Sequence, residues 1–274
     1  MLKKLIAHDF RCTWRLSILL LITSGVGAIF SMICGFIGFN INWDAMTESM
    51  SQLGTSGLEL GQAFSAMLSY FAAFGIILMV AVHYYHKFVS DEAYLTFTLP
   101  ATPGQHLLSK MVSGSVWVMV GAVAMVINTV IIQLPGMIES ASRYEDEIIE
   151  DTATKIFTAA EVWSLIGGVV LMSLAFLIAE LGLIYLCLTI GGVIANKNKA
   201  VAGGALYWFT NGFVSGVMTF VAFLVSAILI EPFDLQGLWP LSLMFYIWSV
   251  IVGGFGVAFY FINRRLLTTK LNLP

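Results

Sequence analysis

Six stretches of this chain run apolar for twenty residues or more: Leu16–Phe39, Phe64–His86, Met111–Leu134, Val162–Ile190, Gly203–Ile230 and Leu241–Ile262. A helix needs roughly 20 such residues to cross a hydrocarbon core of about 30 Å. The sequence is 59% hydrophobic and 11% charged, where a soluble domain carries about 25% charged residues. That much apolar surface cannot be hidden in one globule of 274 residues, so lipid must solvate most of it. The expected class is all-α: a polytopic membrane protein of six transmembrane helices. Asn128 and Gln133 weaken the third stretch, and the long fifth is expected to tilt, or to break near its outer end at Glu231-Pro232.

Charge placement orients these spans. Eleven of the thirteen basic residues (Lys3, Lys4, Arg11, Arg15, Lys87, Lys110, Lys197, Lys199, Arg264, Arg265 and Lys270) fall at the termini or in the even-numbered loops. Arg143 and Lys155 alone fall opposite, where the acidic Glu139, Glu145–Glu147, Glu150, Asp151 and Glu161 cluster. Basic loops stay inside, which predicts both termini in the cytoplasm of a multi-pass cell-membrane protein. The acidic outer segment Met137–Trp163 reads as a short solvated helix or as a contact for a cation or cationic peptide.

Residues 1–15, "MLKKLIAHDFRCTWR", are expected to form a separate amphipathic helix at the cytoplasmic interface, with 16–274 as a single transmembrane domain. Leu2, Leu5, Ile6, Phe10 and Trp14 share one helical face, and Lys4, His8, Arg11 and Arg15 another. Such a helix lies in the headgroup plane. It serves as an uncleaved anchor for the first span, or as an elbow in which Lys4, His8 and Arg11 meet a cytoplasmic partner. Cys12, Cys34 and Cys187 have no metal-type spacing and predict no disulfide framework. Repeated small residues, among them Gly25, Gly27, Gly191, Gly203, Gly204, Gly254 and Gly256, predict close helix packing.

Between the second and third spans lies "SDEAYLTFTLPATPGQHLLSK", Ser90 to Lys110. Ser90 is placed to cap a short helix with Asp91 and Glu92 in its first turn, where the dipole favours negative charge. Tyr94, Leu95 and Phe97 follow, and Pro100 ends the element. Thr102-Pro103-Gly104-Gln105 is a second helix start, with Thr as N-cap, Pro at the first position and Gln completing a capping box. A rigid cytoplasmic protrusion with acidic and aromatic faces is expected.

This stretch resembles the corresponding loop of ABC transporter type-2 family permeases of Gram-positive bacteria, whose usual form is close to DEGYLTFTLPVTP followed by a leucine-rich run and Ser-Lys. "MLKKLIAHDFRCTWR" resembles the same family's N-terminal helix. Ala93 and Ala101 depart from the family's Gly and Val. The resemblance implies a permease subunit whose coupling helix, with Ser90, Asp91, Glu92, Tyr94, Leu95, Phe97 and Pro100, seats in an ATP-binding subunit. It implies two such subunits, holding ATP and magnesium, and a second permease chain, identical or related. The family exports lipids, glycans, drugs and antimicrobial peptides.

No G-x-x-x-x-G-K-[ST], H-E-x-x-H or G-x-S-x-G occurs, so no catalytic or nucleotide chemistry is assigned to this chain, and no metal, cofactor or nucleic-acid contact. "HYYH", His83–His86, reads as an interfacial belt anchored by Tyr84 and Tyr85 rather than a metal site. Glu180 is the one acid deep inside a span; it lines a translocation path, or bonds across helices to Asn128, Asn211 or Tyr185. Two other functions compete with the exporter: an ion-coupled secondary carrier, and a non-transport immunity or assembly factor.

Overall fold

A computed structural model describes residues 2–40, 48–90, 93, 101–143, 159–195, 197–225 and 239–269; within its helices the side chains of 48–51, 139–143, 159, 218, 219, 222, 223 and 225 stand outside the description. The regular structure of these residues is helical: α1 (Leu2–Asn40), α2 (Glu48–Phe88), α3 (Pro103–Arg143), α4 (Ala159–Ile194), α5 (Lys199–Val225) and α6 (Trp239–Thr269). Among the described residues five helices, all but α5, are long and apolar enough to cross a membrane. This is the make-up of a multi-pass helical membrane protein. The most apolar part of the expected fifth span, "VAFLVSAILI" at 221–230, runs past the end of α5 and out of the described residues.

Two expected boundaries do not interrupt helices. The expected division between residues 15 and 16 falls inside α1, which is continuous from Leu2 to Asn40. α3 likewise passes through Pro135 to Arg143 instead of stopping at Leu134. Here Pro135 packs on Gly35: a Cβ added to Gly35 would lie 2.9 Å from Pro135 Cγ.

The chain forms two compact units. One comprises Cys12–Met79 and Trp117–Ile156, and contains α1 from Cys12 onward, α2 as far as Met79 and α3 from Trp117 onward. A Cβ on Gly27 would come within 2.9 Å of Ser65 O on α2, so only glycine permits this approach. Beside it Ser31 Oγ donates to Gln62 O at 3.2 Å. Asn128, the polar weakness of the third span, donates through Nδ2 to Ser24 Oγ. A buried amide that finds a partner is tolerated in lipid, which explains why the span survives it.

The other unit comprises Met1–Arg11, Val80–Val116 and Phe157–Pro274. In it α4 packs along both α5 and α6. Ala179, Trp248 and Val252 form an apolar core with Met172, Ala175, Val221, Met244 and Ile251 around it. A Cβ on Gly256 would fall 3.1 Å from Ala179 N, and one on Gly191 would fall 2.6 Å from Gly203 Cα. Backbones therefore touch at both crossings, as expected where lipid supplies no hydrophobic drive between helices.

Candidate functional site

Residues 101–110 realise the second helix start. Gln105 N donates to Thr102 Oγ1 at 3.4 Å and Thr102 N to Gln105 Oε1 at 3.3 Å, the reciprocal pair of a capping box. On the near side of the loop, Ser90 Oγ donates back to His86 O at the end of α2, and Ala93 N donates to Ser90 O at 2.9 Å. Asp91, Glu92, Tyr94, Leu95, Phe97 and Pro100 lie outside the described residues.

The sequence flanking this loop builds a buried polar cluster. Asp9 on α1 is 2% exposed and Lys110 on α3 is 5% exposed. Lys110 Nζ donates to Asp9 Oδ1, and Ser109 Oγ donates to Asp9 Oδ2 at 2.6 Å. His83 Nε2 on α2 lies 2.9 Å from Lys110 Nζ and 3.9 Å from Asp9 Oδ1. Burial works against the charge on Asp9, but neighbouring His83, the Lys110 ammonium and Ser109 outweigh it and bring its pKa from 3.8 to about 2. Three helices are thereby tied at one carboxylate.

Sequence reasoning overlooked Asp9 because basic neighbours surround it. The helical signal was present: Leu2, Leu5, Ile6, Asp9 and Thr13 turn to the same side, and all are at least partly buried. Trp14, on the expected apolar face, is exposed. Lys4, His8 and Arg11 are exposed.

At the residue after His83 the expected tyrosine belt is corrected. Tyr84 is wholly buried rather than interfacial. Its ring stacks on Tyr185 at 4.0 Å between centroids and on Phe88 at 4.8 Å, both within 8° of parallel. Its hydroxyl pairs with Thr189 Oγ1 at 2.8 Å and accepts from Asn263 Nδ2 at 3.2 Å. Tyr185 OH in turn donates to Lys110 O at 3.2 Å. The adjacent Tyr85 is only partly buried, since the next residue on a helix points about 100° away.

Within the apolar part of the same unit, Glu180 on α4 accepts through Oε1 from Tyr207 OH on α5. Asn211 Nδ2 donates to that hydroxyl at 3.3 Å, one turn along α5. Of the partners expected for Glu180, Asn128 bonds Ser24 and Tyr185 bonds Lys110, while Asn211 reaches it only through Tyr207. Tyr185 is five residues from Glu180 and thus on another face of α4. Glu180 and Asn211 line a cavity of about 240 Å³ with Ser215, Trp248, Phe255 and Phe259. Trp248 Nε1 is buried there without a hydrogen-bond partner among the described residues.

Compared with family models, curated proteins and solved structures, the chain matches none.

Proposed function

We propose that this chain is the permease subunit of an ATP-driven exporter in the cell membrane, with six spans and both termini cytoplasmic. A separate ATP-binding subunit docks on the 90–110 loop, and Asp91, Glu92, Tyr94, Leu95 and Phe97 carry its motion into the bundle. Two such subunits, which hold ATP and magnesium, and a second permease chain complete the path. Lys4, His8 and Arg11 on the exposed face of α1 add to the docking surface.

The observation that carries this reading is the anchoring of both ends of the loop in one unit. α2 ends in the buried Phe88, followed by the buried Val89, and α3 begins with a capping box and the Ser109–Lys110 attachment to Asp9. A passive connector needs neither anchor; a force-bearing one needs both. The sequence resemblance of residues 90–110 supports the same conclusion. Its test is to purify the tagged chain from native membranes and assay ATP hydrolysis and ATP-dependent transport in vesicles. A co-purifying ATPase is expected, with transport lost in the Tyr94→Ser/Leu95→Ser variant. Transport that persists in this variant, or needs no ATP, counts against the proposal.

Glu180 favours a second reading, an ion-coupled carrier, because an intramembrane carboxylate is the usual place to bind a coupling cation. Uptake or efflux driven by a proton or sodium gradient without ATP would select it.

A further inference from the structure

The cavity beside Glu180 combines two chemistries. Phe176, Trp248, Phe255 and Phe259 supply aromatic surface, and Glu180 supplies a carboxylate. Phe255 and Phe259 stand 6.1 Å apart between centroids with their rings inclined at 38°. Tyr207 occupies Oε1 of Glu180, while Oε2 accepts no hydrogen bond among the described residues. Among the described residues, Asn211, Ser215 and the indole Nε1 of Trp248 add the other polar groups of the lining. Phe176 and Phe255 are 52% and 41% exposed, so the cavity wall continues onto the surface that faces lipid.

A carboxylate with a spare oxygen among aromatic rings recognises an organic cation: the ring faces and the charge both attract an ammonium. Neutral lipid tails gain nothing from Glu180, and an anion is repelled by it. We propose that this cavity binds the protonated amine of a lipophilic molecule, with the ammonium against Glu180 and its apolar body along Phe176 and Phe255. The volume suits the amine and its nearest carbons, leaving a longer chain in the bilayer. This deepens the exporter reading by giving it a substrate class, lipophilic amines, and depends on that reading only for calling the ligand a substrate.

The test is equilibrium binding of n-octylamine to the full chain in nanodiscs of a zwitterionic lipid, with N-acetyl-octylamine as the uncharged control. Empty nanodiscs correct for partition into lipid. Saturable binding of the amine is expected, with no saturable binding of the acetylated compound. Affinity should fall by roughly tenfold or more in Glu180→Gln, and several-fold in Phe255→Leu, which keeps the apolar volume but loses the ring. Amine affinity unchanged by both substitutions, or equal binding of the acetylated compound by the wild-type chain, overturns the proposal. If Glu180→Gln does not yield folded protein, Phe255→Leu and the two-ligand comparison decide. No nucleotide or partner enters the assay, so its failure leaves the exporter reading standing, and loss of ATP-dependent transport leaves this site standing.

Discussion

Asp9 and Lys110 stand 101 positions apart in the chain, yet Lys110 Nζ donates directly to Asp9 Oδ1 where neither residue is more than 5% exposed. A buried pair of this kind is costly to break from one side, because the survivor is left charged and desolvated. Asp9→Ala is therefore expected to cost about 3–5 kcal/mol, and Asp9→Leu with Lys110→Met together much less. Apparent Tm of the purified chain in detergent reads both. A double variant no more stable than Asp9→Ala, or an Asp9→Ala chain with the wild-type Tm, would show that the pair is not sealed as described.

The pH dependence of the same region has a defined sign. His106 is buried ahead of the third span, and burial first, with the Lys110 charge second, holds its pKa below the ordinary 6.5. The unfolded chain then binds the proton more readily, so stability is whole above 6.5 and falls as pH drops through it. Asp9 has the same sign further down: its contribution is whole above 3.8 and is lost toward about 2. Between about pH 7.5 and 5.5 the carboxylate stays charged and histidine sets the slope. Tm should decline less over that interval in His106→Gln than in the wild-type chain; parallel curves would remove His106 from the account.

Local order was legible in the sequence, and long-range pairing was not. Thr102, Pro103 and Gln105 announce a helix start because capping chemistry acts within one turn, and the reciprocal bonds are present. The apolar runs announce helices because bilayer thickness sets their length. Tyr84 was misread because a tyrosine beside histidines at the end of a span has the composition of an interfacial belt, whereas its burial depends on Tyr185, on a different helix. Glu180 stands out in the sequence as the one acid within its apolar run, but its partner Tyr207 depends on how α5 crosses α4, which no local pattern encodes.

Glycine pairs make that limit testable. Spacing alone ranks Gly203 and Gly204 equally, but only Gly203 meets Gly191; a Cβ on Gly204 finds nothing within 4 Å. Gly191→Ala forces one backbone against another and should cost about 1–3 kcal/mol, as overpacking generally does. Gly204→Ala should be neutral, or stabilising by up to about 1 kcal/mol through helix propensity. Thermal unfolding of the two variants side by side checks the crossing; equal effects would place α5 in another register.

The stacked tyrosines yield a final test, which depends on leaving a polar group stranded. Tyr84→Phe preserves the stack on Tyr185 but removes the hydroxyl that accepts from Asn263 and pairs with Thr189. Asn263 is 1% exposed, and its Oδ1 has no hydrogen-bond partner among the described residues, so losing Tyr84 strands its amide further. Stranding a buried donor costs about 1–3 kcal/mol, whereas replacing both partners by apolar groups is nearly neutral. Tyr84→Phe should therefore lower Tm, and adding Asn263→Leu should recover part of the loss instead of deepening it. Simple addition of the two losses would mean that Asn263 finds its partners elsewhere, and that the Tyr84 hydroxyl does not organise this end of the bundle.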